Sequence, residues 1–395
     1  MKYTLKSSQI MTPRGFIDGY LIIEDGKIAR LSSLCNEPFE SVKDLGNHKI
    51  LPGIIDIHNH GYGGWSMTDP ATINDVKGYL KALTSIGVTG ILPTAREEAF
   101  EAIADTMDLE NDGARIFGIH SEGPFWARGG ENSVDEHYPL PSIEETHRYL
   151  TKAKGKIVLM AIAPELPKAY DVISYLHDQH VLVSLCHTAA YAKDIYQALD
   201  EVGIDLVTHT GNGMRGIHHR DVGVLGAALL SEGLTYEIIT DLNHICTDML
   251  KIMFKLQPYE KFVLISDSNY MAGLPTGRYM RYGRAMNSHE TGLIKDDHGR
   301  IMGSGKFVLF NMKQLVEKVG VNLVEVSKMA SLNPAHFLKI DSFTGTLEVG
   351  KDADFMVIND EFECQLTYVK GKLVFDTETT KDFLNLEALS RRISD

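Results

Sequence analysis

Residues 53–64 read GIIDIHNHGYGG: a near-continuous apolar and β-prone run, two histidines one residue apart, then glycines. Apolar character on both faces is the pattern of a parallel strand covered by helices. Residues two apart on a strand share a face. His58 and His60 therefore point together and Asn59 points away, and two neutral imidazoles on one face form a bidentate grip for a divalent metal.

Moving outward, the same kind of run recurs in GVTGILPTA, ARIFGIHSEGP, KIVLMAIAPE, HVLVSLCHT, IDLVTHTGN, LTYEIITDLNH and KFVLISDSN. Segments of helical period lie between several of them, at 73–86, 142–154, 169–179, 191–202 and 247–255. This alternation predicts a (β/α)₈ TIM barrel over residues 52–340. A doubly wound open sheet fits less well, because no G-x-G-x-x-G follows the first strand. Ionisable residues stand at the C-terminal ends of the runs, where barrels build their sites: His58, His60, His120, Glu122, His187, His209, Asp241, His244 and Asp267. One such histidine is unremarkable in a core, but a set at convergent strand ends points to a metal.

The flanks differ in kind. Residues 1–51 and 341–395 consist of short β-prone runs broken by Asp-Gly, Lys-Gly and Pro, and are expected to form one small β-sandwich domain. Gly303-Ser304-Gly305 reads as a loop leading into a helix, and lacks the Lys-Ser/Thr of a P-loop. Cys186, next to His187, is expected to alternate onto the opposite face as a small core residue.

Composition narrows the function. The net charge of −14 and the absence of a Lys/Arg block argue against nucleic acid or a membrane surface as partner. Any anionic substrate then needs its own cationic pocket. No apolar run approaches the ~20 residues that span a bilayer, and the cysteines form no CxxC pair, so a cytoplasmic protein is expected.

LPGIIDIHNHG resembles the opening metal motif of the amidohydrolase superfamily, and GIHSEGPF resembles the third-strand motif of its N-acetylglucosamine-6-phosphate deacetylase branch. CHTAAY, THTGNGM, HHRDVGVLGAAL, EIITDLNH, ISDSNYMAGLPTGRY and NPAHFLKIDSFTGTLEVGKDADFMVI extend the likeness over nearly the whole chain. The resemblance implies that Glu122, His187 and His209 hold a divalent metal, and that His58 and His60, with Asp267, can build a second position. One or two ions are expected, drawn from zinc, iron, manganese and cobalt. Many relatives place a carboxylated Lys on the fourth strand; IVLMAIAPE has none, and Glu122 is its natural substitute. Asp267, following the apolar run FVLIS, is expected to take a proton from the attacking water and pass it to the departing amine.

The resemblance further assigns a phosphate to Asn212, Gly213, Arg220 and His244, with Arg220 serving its own pocket or that of a neighbour in a homodimer. Three departures bear on the substrate. The run after His209 is Thr210-Gly211-Asn212-Gly213-Met214, without two bulky side chains usual there. Asp241-Leu242-Asn243-His244 replaces Asp-Gly-x-His. A segment whose His polarises the scissile carbonyl is replaced by RGGEN, leaving Asn132 or His137 to donate that bond. The implied activity is removal of acetyl from N-acetylglucosamine 6-phosphate. The alternatives are another N-acyl hexosamine phosphate, such as N-acetylgalactosamine 6-phosphate, or a non-catalytic sugar-phosphate-binding barrel.

Overall fold

The computed structural model describes residues 2–33, 42–129, 137–281 and 284–393. Eight parallel strands follow one another through the middle of the chain: β1 (Ile54–Asn59), β2 (Val88–Pro93), β3 (Ile119–Glu122), β4 (Ile157–Ile162), β5 (Leu182–Leu185), β6 (Leu206–Val207), β7 (Thr235–Ile238) and β8 (Phe262–Leu264). β3 to β8 pair in sequence order; β1 pairs with β2, whose other edge takes a short ninth parallel strand, Arg115–Ile116. Parallel bridges Thr94–His120 and Asn59–Ser268 join the two ladders just beyond the strand ends. Two hydrogen bonds secure these junctions, from Ala95 N to the His120 carbonyl (3.0 Å) and from His60 N to the Ser268 carbonyl (2.9 Å). The result is a curled parallel sheet.

Its two faces are apolar for different reasons. Ile55, Ile57, Leu92, Leu159, Leu206, Ile239, Val263 and Ile265 pack on one another in one buried cluster. The alternate positions pack against the helices in a larger one. Helix Ile73–Thr84 starts with a reciprocal cap: Thr72 Oγ1 accepts from Asp75 N, and Asp75 accepts from Thr72 N. Helices Ile143–Lys152, Ala169–Asp178, Ala192–Glu201 and Thr247–Leu256 occupy the segments expected from their period. Four further helices, Glu97–Met107, Gly223–Leu230, Leu323–Ala330 and Leu332–Phe337, were not anticipated. Gly223–Leu230 is buried on every side except at Leu230, so its sequence carries no amphipathic period to detect.

The chain ends share a second sheet, in the order Lys372–Asp376, Cys364–Val369, Phe355–Ile358, Lys49–Pro52, Lys2–Thr12, Gly15–Glu24, Lys27–Ser32. Its core contains Leu5, Ile10, Leu21, Ile23, Ile50, Phe355, Val357 and Tyr368. Gly53 is the sole residue between Pro52 of this sheet and Ile54 of β1, and a Cβ there would meet the Thr89 side chain at 2.2 Å.

A third, antiparallel sheet corrects part of the reading of 303–305 as a loop leading into a helix: Gly303 and Ser304 belong to a strand, and the expected helix follows at Val308–Gln314. The sheet comprises Gly277–Arg281, Arg284–Ser288, Leu293–Asp296, Ile301–Ser304 and Arg392–Ile393. Ser304 ends a strand and bridges to Ser268 beyond β8, and the last described strand of the chain joins this sheet instead of the terminal one. Arg, Asn and Gly interrupt its strands, so neither the alternation nor the partner was readable locally.

One polar clasp ties the terminal segment to the parallel sheet. Arg115 Nη1 donates to Asp352 (2.9 Å) and to Asp354 (2.7 Å), and its guanidinium lies over the rings of Phe117 and Phe343. Asp354 is buried. Arg115→Ala is therefore expected to lower unfolding free energy by roughly 2 to 3 kcal/mol, the scale of lost hydrogen bonds to charged groups. Urea denaturation followed by circular dichroism reads this as a lower midpoint; an unchanged midpoint would show that the clasp adds nothing to stability.

Candidate metal centre and active site

Glu122 is the last residue of β3, while His187, His209 and Asp267 stand two or three residues past the ends of β5, β6 and β8. These three residues have φ of +43°, +29° and +46°. A left-handed backbone at a non-glycine residue costs about 1–3 kcal/mol and persists only where its surroundings impose it, characteristically at functional sites. Its geometric effect here is to break the strict alternation of the strand. Cys186 shows the consequence. Expected on the opposite face from His187, its Sγ lies 3.6 Å from Glu122 Oε1 and 3.7 Å from His209 Nε2, because the turn at His187 lets neighbouring side chains reach the same place.

Glu122 Oε1 is 3.1 Å from His187 Nε2 and 3.2 Å from His209 Nε2, and the two nitrogens are 3.4 Å apart. Ligand atoms about 2.1 Å from one ion at tetrahedral angles stand roughly 3.4 Å from each other. The spacing thus fits a divalent ion. A second group adjoins it: His58 Nε2 and His60 Nε2 are 3.3 Å apart, with Asp267 Oδ1 3.3 Å from His60 and 3.6 Å from His58. Glu122 links the groups, since its Oε2 is 3.2 Å from His60 Nε2. Imidazoles mixed with carboxylates suit first-row divalent metals. Asn59, as alternation requires, turns away to Asp56, Ser266 and Tyr79.

The residue that sequence reasoning missed is Glu237. Fully buried within β7, it accepts from His58 Nδ1 (2.9 Å) and from the backbone N–H of His209 (3.1 Å), so one carboxylate orients a ligand candidate from each group. Its signal was a lone carboxylate inside the apolar run TYEII, costly there without partners. Burial by itself would push the His58 imidazole down, but Glu237 outweighs it and, with Asp267 and Glu122, holds it up to about 10. Burial likewise opposes ionisation of Asp267, yet the bond to His60 and the charge on His58 bring it down to about 2. Glu122 is held well below the ordinary carboxylate range against its burial by His187, His209 and His60. His120 is driven well below its ordinary value by burial and then by His58; its Nδ1 is 3.1 Å from Thr94 Oγ1.

The residues expected to hold an anion are more dispersed. His244 is anchored through Nδ1 to Asp241 (2.9 Å), which also accepts from Ser304 Oγ (3.2 Å). Its Nε2 is buried with no hydrogen-bond partner among the described residues, leaving it available to a ligand. Asn212 is half-buried, its amide donating to the His209 carbonyl at 3.2 Å. Gly213 (φ +61°) packs so closely that a Cβ would sit 3.0 Å from His187 Nδ1. Arg220 ends an exposed run, 215–220, and does not join the buried cluster. Asn132 lies outside the described residues, and His137 is exposed. Trp126 stacks at a tilt 4.6 Å from the His187 ring, whereas Trp65 bonds to the Phe383 carbonyl away from the cluster.

The amidohydrolase family profile matches residues 50–374, which include every one of these side chains. The chain belongs to the amidohydrolase family. It is 30% identical over 365 residues to N-acetylglucosamine-6-phosphate deacetylase of Vibrio furnissii, covering 90% of each chain. It is also 30% identical over 383 residues to N-acetylgalactosamine-6-phosphate deacetylase of Escherichia coli O157:H7, covering 94% of this chain and 99% of that one. Among solved structures, N-acetyl-D-glucosamine-6-phosphate deacetylase of Mycobacterium smegmatis superposes with a TM-score of 0.83 at 25% identity, covering 94% of this chain and all of that one. The curled sheet is thus the amidohydrolase fold.

Glu237→Gln keeps the shape of that side chain and removes its charge. Loss of such an orienting partner typically weakens metal binding 10–100-fold, and competition against a chromophoric chelator is expected to show a drop of that size for zinc. Equal affinity would mean that Glu237 only fills space.

Proposed function

We propose that this amidohydrolase is a metal-dependent deacetylase of N-acetylglucosamine 6-phosphate, yielding glucosamine 6-phosphate and acetate. One observation carries the reading: Glu122, His187 and His209 converge at the spacing of a single coordination sphere with Asp267 and the histidine pair beside them, in a chain 30% identical along 90% of its length to such an enzyme. We read the curled sheet as a closed (β/α)₈ barrel over 52–340, with 1–51 and 341–395 as the small domain. No helix among the described residues is long and apolar enough to cross a membrane. The protein is read as a cytoplasmic homodimer acting on a small molecule.

In this reading Glu122, His187 and His209 hold one divalent ion, and His58, His60 and Asp267 offer a second position. Zinc, iron, manganese or cobalt all suit such ligands. When bound, the metal polarises the acetyl carbonyl and makes water acidic enough to attack near neutral pH. The chain's own residues do the rest. Asp267, ionised across the neutral range, takes a proton from water as the water oxygen bonds to the carbonyl carbon. It then delivers that proton to the sugar nitrogen as the C–N bond breaks, leaving acetate and a free amine. His60, 3.3 Å away, fixes the carboxylate's position. Asn132 is the proposed donor to the carbonyl oxygen.

The phosphate falls to His244 Nε2, the Asn212-Gly213 turn and Arg220. An exposed Arg220 suits contact across a dimer, where its planar fork of donors matches a phosphate. A second substrate has specific support. The galactosamine relative is as similar as the glucosamine one, and Thr210-Gly211 leaves extra room beside His209.

Three measurements test this. Acetate release from N-acetylglucosamine 6-phosphate is expected to stop with a chelator and return with added metal; release unaffected by metal removal would end the metal-hydrolase reading. Asp267→Asn is expected to retain its fold and bound metal but lose roughly 10²–10⁴-fold in kcat, and near-normal turnover would remove Asp267 from the chemistry. Running N-acetylgalactosamine 6-phosphate in parallel decides the hexosamine by the ratio of kcat/KM values.

A further inference from the structure

The proposed function uses three protein donors at the first metal position, yet four donor atoms crowd there. Glu122, Cys186, His187 and His209 each bring one ligand atom, all within 4.8 Å of one another. Cys186 Sγ stands 3.6 Å from Glu122 Oε1 and 3.7 Å from His209 Nε2. For an ion with sulfur at about 2.3 Å and nitrogen or oxygen at about 2.1 Å, tetrahedral angles separate sulfur from its neighbours by roughly 3.6 Å. The nitrogen and oxygen edges, at 3.1, 3.2 and 3.4 Å, fit the same polyhedron.

We infer that Cys186 is a fourth protein ligand of the ion held by Glu122, His187 and His209, entering from the buried floor of the site. The inference rests on the metal-dependent reading above. As the metal–sulfur bond forms, the S–H bond breaks and its proton leaves to solvent; no electron is transferred. The competing role is a neutral thiol that donates to Glu122 Oε1 and accepts from His209 Nε2–H; it predicts no sulfur neighbour around a bound ion, and X-ray absorption separates the two. Burial supports the orientation: Cys186 is fully enclosed, whereas the side chains of Glu122 and His187 keep 9% and 14% exposure. Sulfur thus occupies the inner side, and water or substrate would enter from the outer side as a fifth ligand, an expansion open to such sites. A thiolate also makes the site softer than one of imidazole and carboxylate alone, favouring zinc, iron or cobalt over manganese or magnesium.

The test uses the full chain carrying Cys246→Ser, which removes an exposed thiol outside the site. After loading with one equivalent of zinc, X-ray absorption is expected to show a sulfur neighbour at about 2.3 Å among nitrogen and oxygen neighbours. Cobalt loading is expected to give a sulfur-to-cobalt charge-transfer band in the near ultraviolet. Adding Cys186→Ser should abolish the band while the weaker visible bands of bound cobalt persist, and should weaken zinc at least about tenfold with a smaller effect on manganese. Zinc bound with nitrogen and oxygen neighbours only overturns the inference and leaves the metal-hydrolase reading standing. A protein that binds no stoichiometric zinc or cobalt overturns both. The scattering measurement needs no Cys186 variant, so a misfolded Cys186→Ser protein leaves the decision intact.

Discussion

A buried carboxylate pressed against three imidazoles is the constraint around which this molecule is arranged. Glu122 faces His187, His209 and His60 within 3.2 Å, in a region where an unpaired charge would cost several kcal/mol. Such a cluster is tolerable only if cation and anion balance locally. In the protein alone the His58 imidazolium supplies positive charge, locked to Glu237 on one side and facing Asp267 and Glu122 on the other. A divalent ion answers the same need more fully, since it meets the carboxylates and the clustered Nε2 atoms of His60, His187 and His209 at once.

The scaffold makes this crowding possible by ending its strands early. β6 is two residues long and β8 three, and the chain beyond them turns through left-handed residues that aim side chains inward. The backbone strain is borne by a frame with extensive apolar packing on both faces of the sheet. Hydrogen bonds then set individual rings: Glu237 holds His58 and the backbone of His209, and Asp241 holds His244. These second partners come from β7 or just beyond it, making that strand the organiser of two ligand-facing histidines on other elements and one on its own.

Much of this was legible in advance. The eight apolar runs each contain a parallel strand, the third being split into Arg115–Ile116 and Ile119–Glu122, and five periodic segments became helices within a few residues of their expected bounds. The histidine pair reads correctly because alternation on a regular strand is a local property, and Asn59 does turn away. Cys186 was misplaced for the same reason, since alternation fails once a residue adopts positive φ. Glu237 escaped notice because a single acid in a strand looks like any other until its partner, 179 residues earlier, is known. The sheet around 277–304 escaped because its last strand arrives from the far end of the chain.

The sequence by itself determined the strand and helix alternation, the family, and which imidazoles and carboxylates stand at strand ends. Each of these rests on residue type, short-range periodicity or motif spacing. Only the tertiary structure decided which of those groups meet: that Cys186 joins Glu122 and His209, that Glu237 orients His58, and that Arg220 stays at the surface. The reason is physical. Distances of about 3 Å between side chains from different strands depend on the curl of the sheet and on backbone turns at strand ends, and these are set by packing across the whole core instead of by neighbours in the chain.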